Sequence, residues 1–231
     1  MPRVARVAVN NAFYHVFHKG NDNQAVFLEE SDFEKFLAKL NDLKEIRGFD
    51  HSIYCYSILP SQFHLLIYVR KTPLAKIITS LLTSYSMYWN KKYKKKGSVF
   101  QGRFRSKVVD PKEYFLRSSR YIHAQPSYFG LSTDPSLYPY SSLGEIMGIS
   151  HLKLIDKKQA LKYIGDSPWA LEEYKKSVVE TIDQIPKLKN KFTFAHQIEV
   201  KDKNIEIESI KQKEKMKVKT KVQGFLKRYF K

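Results

Sequence analysis

Two short apolar runs, His51–Leu59 and Gln62–Val69, meet across Pro60-Ser61, and an amphipathic helical pattern lies on either side of them. No other feature restricts the fold as much. Both runs are rich in Ile, Tyr, Phe, Leu and Val and their connection is tight, which predicts an antiparallel pair of strands. Upstream, Ser31 with Glu34 fits a capping box, and Phe33, Phe36, Leu37, Leu40, Leu43 and Ile46 recur at helical spacing until Gly48. Downstream, Thr72 is a cap with Pro73 at the first helical position, after which Leu74, Ile77, Ile78, Leu81, Leu82, Tyr85, Tyr88 and Trp89 trace one apolar stripe. A strand over 12–18, closed by the turn-rich 19–23, precedes the first helix, and a strand over 104–109 follows the second. Asp110-Pro111 then starts a third helix that runs to about Ala124, ahead of Pro126. Strand, helix, strand, strand, helix, strand is the split βαβ order. The expected fold class is therefore α+β, ferredoxin-like, with a four-stranded antiparallel sheet and both crossover helices on one face.

This domain accounts for residues 1–150. Beyond it the composition shifts to a helical stretch around 156–181, interrupted near 165–168, which reads as a helical appendage over 151–186. From Lys187 to residue 231 there are 14 Lys and Arg against 5 Asp and Glu, so this basic tail holds +9 of the net charge of +18. Such an excess attracts polyanions. Nucleic acid fits better than a membrane, because no run approaches the ~18 apolar residues of a spanning helix and the first residues lack the apolar core of a secretion signal. The expected location is the cytoplasm, in association with the nucleoid. The single cysteine, Cys55, excludes an intrachain disulfide and a cysteine zinc cage, and reads as a small core residue or a reactive thiol.

Four segments carry recognisable chemistry: 59–67 (LPSQFHLLI), 100–106 (FQGRFRS), 120–126 (RYIHAQP) and 138–142 (YPYSS). In this order, over residues 10–150, they resemble the single-tyrosine HUH transposases, particularly the REP-associated tyrosine transposases. In that family the third strand carries His-hydrophobic-His and a later helix carries a Tyr-Ile-His-x-Asn-Pro sequence. The first histidine of the pair is Gln62 here, while His64 is retained. The resemblance implies Tyr121 as the nucleophile and Gln62, His64 and Gln125 as ligands of Mg²⁺ or Mn²⁺. It further implies single-stranded or hairpin DNA as the partner, nicked and rejoined through a 5′-phosphotyrosine.

The residues themselves allow that geometry. Gln62 and His64, two apart on a strand, share a face that Phe63 does not; Tyr121 and Gln125, four apart on a helix, share a face that His123 does not. An amide oxygen is a hard neutral donor suited to such ions. Tyr114 is a rival nucleophile seven residues earlier, and Gln125, just before Pro126, also reads as a simple helix end. Arg103, Arg105 and Lys107 alternate along the fourth strand beside Lys91, Lys92, Lys94 and Lys95, a pattern that suits a phosphate backbone. Tyr14, Tyr54, Tyr56 and Tyr68 read either as stacking platforms for unpaired bases or as core. Three functions remain open: a DNA-nicking transposase, a catalytically inactive, domesticated protein that binds structured DNA, and an RNA-binding protein. The aromatic octapeptide of the common ferredoxin-like RNA module is absent. Oligomeric state is open, and a homodimer is allowed.

Overall fold

The structure, a computed structural model, describes residues 9–109 and 114–192. Strands β1 (Ala12–Lys19), β2 (His51–Leu59), β3 (Gln62–Val69) and β4 (Arg105–Val109) form one antiparallel sheet in the order β2-β3-β1-β4. Helix α1 (Glu30–Glu45) links β1 to β2 and α2 (Leu74–Tyr93) links β3 to β4, which is the expected split βαβ arrangement. Five further α-helices follow among the described residues: α3 (Phe115–Tyr128), α4 (Leu143–Ile146), α5 (Lys157–Ile164), α6 (Pro168–Ile182) and α7 (Ile185–Phe192).

Both faces of the sheet are covered. Tyr14, Val16, Phe63, Leu65 and Ile67 pack against Phe36, Leu40, Ile77, Leu81 and Tyr85 of α1 and α2. On the reverse side Phe13, Leu66 and Val109 pack against Phe115 and Ile122 of α3, Ala160 of α5, and Tyr174 and Val178 of α6. Alternate strand residues therefore enter two different cores. The helices beyond residue 150 share the second of these. The basic tail continues α7 as far as Phe192; residues 193–231 lie outside the described residues.

β2 contains a bulge. Ile53 pairs with Ile67 and Cys55 with Leu66, so Tyr54 is the extra residue, and both Tyr54 and Cys55 join the core on the α3 side. There Cys55 is buried, and burial pushes its thiol well above its ordinary pKa. The outer edge of β2 is closed by residues 138–142: the Tyr138 hydroxyl donates to the Ile58 carbonyl at 2.9 Å, and the Ile58 and Ser142 amides bond to the Tyr140 and Tyr56 carbonyls at 2.9 and 3.0 Å.

Three helix ends differ from the sequence reading. The cap of α1 is Glu29, in a capping box with Asp32, and not Ser31 with Glu34. Asp32 is fully buried and its carboxylate accepts the Leu28 and Glu29 amides at 2.9 and 3.0 Å, Lys92 Nζ at 2.6 Å, and the Tyr93 and Tyr88 hydroxyls at 2.6 and 3.1 Å. The end of α2 thus selects which acid caps α1. Thr72 does not cap α2, since its hydroxyl accepts the Asp50 amide at 3.0 Å, and Pro73 takes the cap position. α3 runs through Pro126 to Tyr128, because the proline removes only its own N–H from the ladder while the Phe129 amide still reaches the Gln125 carbonyl at 3.0 Å. The expected start of this helix, Asp110-Pro111, lies outside the described residues.

Burial alone would raise the Asp32 carboxyl, but its hydrogen bonds outweigh that and hold it below the usual carboxylate range. Asp32→Ala is expected to lower stability by about 2–3 kcal/mol in urea unfolding at pH 7. The wild-type advantage should be complete above about pH 4 and vanish as pH falls through the lowered native value. An unchanged midpoint would rule out this anchor.

Candidate functional site

β1 is paired on both sides, and that double pairing builds the site. Lys19 lies opposite Gln62, Phe17 opposite His64 on one side and Arg105 on the other, and His15 opposite Lys107. Side chains of directly paired residues project to the same face. One end of the sheet therefore collects two imidazoles, an amide and three cations on its α3 side. Phe63, between Gln62 and His64, points into the opposite core.

His64 is held through both ring nitrogens. Its Nδ1 shares a hydrogen bond with His15 Nε2 at 3.0 Å, and its Nε2 lies 3.4 Å from the Gln62 side-chain amide. The Phe17 ring packs on it at 4.7 Å. α3 brings Tyr121 over this group, its ring 5.8 Å from His64 and 5.9 Å from His15, and one turn later Gln125 donates to the Tyr121 backbone carbonyl at 3.2 Å. Gln62, His64, Tyr121 and Gln125 are thus gathered in one place. His15, which the sequence reading passed over as part of a strand, completes the group. Only the pairing register reveals it.

Burial sets the protonation of the group. It pushes His15 down to about 3, with the Lys107 charge adding to the effect, and pushes His64 well below its ordinary value, with His15 adding. Burial likewise raises the Tyr121 phenol to about 12 against the pull of the Gln125 hydrogen bond. At neutral pH the imidazoles are neutral and the phenol keeps its proton. Tyr121 is only 4% exposed.

Neutral imidazole is the form that ligates metals. Among the described residues no three His, Cys, Asp or Glu side chains cluster as a metal site. The neutral donors nearby are His64 Nε2 with the adjacent Gln62 amide, and the Gln125 amide beside Tyr121, groups whose chemistry suits a weakly held divalent ion. His15 stands behind His64 as the group that fixes its tautomer.

The basic residues separate into different roles. Arg105 and Lys107 lie on the site face of β4, whereas Arg103 is exposed ahead of the strand, which begins at Arg105 rather than at 104. Lys19, read from sequence as part of a turn, also belongs to this face, half-buried and bonded to Asn23 Oδ1 at 2.7 Å. Lys92 is held by Asp32 at 2.6 Å and Glu29 at 3.1 Å, while Lys91, Lys94 and Lys95 are exposed at the end of α2. Of the four tyrosines offered as stacking platforms, Tyr14, Tyr54 and Tyr56 are buried and Tyr68 is half-exposed. Tyr114 is exposed at the start of α3, in a cleft with Tyr68 and Lys107 beyond His15. His123 faces away from Tyr121: its ring nitrogens bond the Tyr174 hydroxyl at 2.9 Å and the Ser142 hydroxyl at 2.8 Å, and burial holds it neutral, near 3.

No protein-family model matches the sequence, and no curated protein matches it. Among solved structures, the chain superposes on a REP-associated tyrosine transposase bound to a REP hairpin with a TM-score of 0.52, covering 68% of this chain and 98% of that one at 11% identity. The chain has the fold of that transposase. A second structure, provisionally described as a transposase of Deinococcus radiodurans R1, aligns with a TM-score of 0.37 and 14% identity over 54% of this chain and 98% of its own; a score that low carries no argument. Within the transposase fold of this chain, among the described residues, no helix is long and apolar enough to cross a membrane.

Three buried neutral histidines have a measurable consequence. The imidazole NMR resonances of His15, His64 and His123 should show no titration between pH 5 and 8. Their native values lie below the unfolded value near 6.5, so the unfolded chain binds more protons and stability should fall as pH drops below about 6.5. Resonances that titrate near 6.5 would contradict this burial.

Proposed function

We propose that the protein binds structured single-stranded DNA on the α3 side of its sheet and that Tyr121 is the nucleophile of a transposase-like strand-transfer reaction. The observation that carries this reading is the convergence of Gln62, His64, Tyr121 and Gln125, drawn from a strand and a helix nearly 60 residues apart in sequence, beside cations on the same face. The transposase of like fold is bound to a REP hairpin, which supports hairpin DNA as the ligand class. The net charge of +18 supports a polyanion independently of the fold.

In the proposed reaction Arg105, Lys107 and Lys19 hold the phosphate backbone at the mouth of the site. The Tyr121 oxygen attacks phosphorus, the bond from phosphorus to the 3′ oxygen breaks, and the strand is left as a 5′-phosphotyrosine with a free 3′-OH. The proton lost by the tyrosine is balanced by the one gained at the departing 3′ oxygen, and the step reverses without ATP. Mg²⁺ or Mn²⁺ bound by His64 Nε2 with the Gln62 and Gln125 amide oxygens would supply polarisation of a phosphate oxygen. His15 keeps the His64 ring oriented, and Gln125 holds the turn of α3 that carries Tyr121.

A second reading, a catalytically silent binder of structured DNA, is favoured by the burial of the Tyr121 phenol and by a single histidine among the ligands. Incubating the protein with labelled hairpin DNA and Mg²⁺ or Mn²⁺ separates the two. The nicking reading expects a covalent adduct on denaturing gels that Tyr121→Phe abolishes; binding with no adduct in either metal leaves the silent reading. Under both, Lys107→Ala is expected to weaken binding evenly across sequences and to lower the slope of log K against log salt by about 1.

A further inference from the structure

Past His15, away from Gln62, the α3 side of the sheet opens into a second cleft of about 840 Å³. Its floor is aromatic. The β2 bulge delivers Tyr54 there, packed edge-on to Phe13 at 4.8 Å, and Phe13 meets Phe115 of α3 edge-on at 5.6 Å. Two half-exposed rings stand on this floor: Tyr68, 4.8 Å from Phe13, and Tyr163 of α5, stacked on Phe115 at 4.2 Å. The Arg70 guanidinium lies 5.2 Å from the Tyr68 ring centre, and Lys107 lines the β4 wall.

We infer that this cleft seats one unpaired base of the bound DNA strand, stacked on Tyr68 and Tyr163, with an adjoining phosphate at Lys107. The inference rests on the DNA-binding reading above and adds to it a position and a mode of contact. Core packing accounts for Phe13, Tyr54 and Phe115, which are buried, but not for the ring surface that Tyr68 and Tyr163 leave open. Among the described residues the charged side chains lining the cleft are Lys107 and Arg70, the latter paired with Asp50 at 3.4 Å, so it suits an aromatic ligand that carries negative charge. Every base has a face to stack, and an arginine beside a tyrosine extends the platform.

The cleft is also continuous with the candidate site. His15 lines it and bonds to His64, and Lys107 pairs with His15 across the sheet. His64 and Tyr68 are four residues apart on β3, about 13 Å along the strand. A base seated at Tyr68 therefore lies within a few nucleotides of a phosphate at Tyr121, along a face whose edge cations are Lys107 and Arg105.

The test uses the full chain and hairpin oligonucleotides with single-stranded flanks, each flank position replaced in turn by an abasic site, with affinity read by fluorescence anisotropy. One position should weaken binding to the wild-type protein and to Tyr68→Phe by about tenfold. Tyr68→Ala should already bind the intact oligonucleotide about tenfold more weakly and lose nothing further at that position. The wild-type series requires no variant to fold. If no abasic position matters, or if Tyr68→Ala binds like the wild type, the base seat is overturned while the DNA-binding reading stands. If no single-stranded DNA binds at low salt, both fall. Displacement of the oligonucleotide by a free mononucleotide at comparable concentration would overturn the assignment to a strand.

Discussion

The register of β1 between β3 and β4 governs everything else in this molecule. It places His15, Phe17 and Lys19 toward α3 and sends Tyr14 and Val16 into the core under α1 and α2. A slip of one residue would exchange the two sets, placing imidazole and ammonium in the apolar core under α1 and α2 and a tyrosine and a valine in the site. The far end of β1 is pinned against such a slip. The Asn21 amide bonds to the Val99 carbonyl at 3.1 Å, the Gln101 amide to the Lys19 carbonyl at 3.0 Å, and the Phe100 ring stacks on His18 at 5.1 Å. The segment around Phe100 thus helps to hold the register that makes the site.

The second constraint is coverage of the sheet on both faces. Because α3 closes the site side, the imidazoles beneath it are dry and neutral, and their ring nitrogens must find partners inside the protein. His64 finds His15 and the Gln62 amide; His123 finds Tyr174 and Ser142. The helix segment around Tyr121 therefore divides its work. Tyr121 and Gln125 face the sheet, while His123 ties α3 to α6 and to the chain that covers the β2 edge. Residues 138–142 complete that tie through Ser142, whose hydroxyl also accepts the Tyr56 amide at 2.8 Å. Residues 138–142 therefore hold the scaffold rather than line the site.

The order of elements and the split βαβ topology were legible in the sequence, because period-2 and period-3.6 patterns are local and the chain follows them closely. The facing of Gln62 and His64 against Phe63 was legible for the same reason. What escaped depends on tertiary partners. Two overlapping capping boxes are possible, Ser31 with Glu34 and Glu29 with Asp32, and the second is held by Lys92 and Tyr93 some 60 residues away. His15 and Lys19 became part of the site only through pairing with β3 and β4. The bulge at Tyr54 has no glycine to announce it, so Tyr54 and Cys55 could not be assigned to one side. Pro126 signals a helix end by composition, and yet α3 passes through it because one missing N–H is a small loss in a helix packed on a sheet.

The central claim is that DNA lies on the α3 side of the sheet, along the edge carrying Arg105 and Lys107. Ultraviolet cross-linking of bound hairpin DNA, followed by mass-spectrometric identification of the attached peptides, tests it most directly. The account predicts attachment in β1, at the start of β3, in residues 103–107 and in α3. Attachment confined to the outer surfaces of α1 and α2 would contradict it.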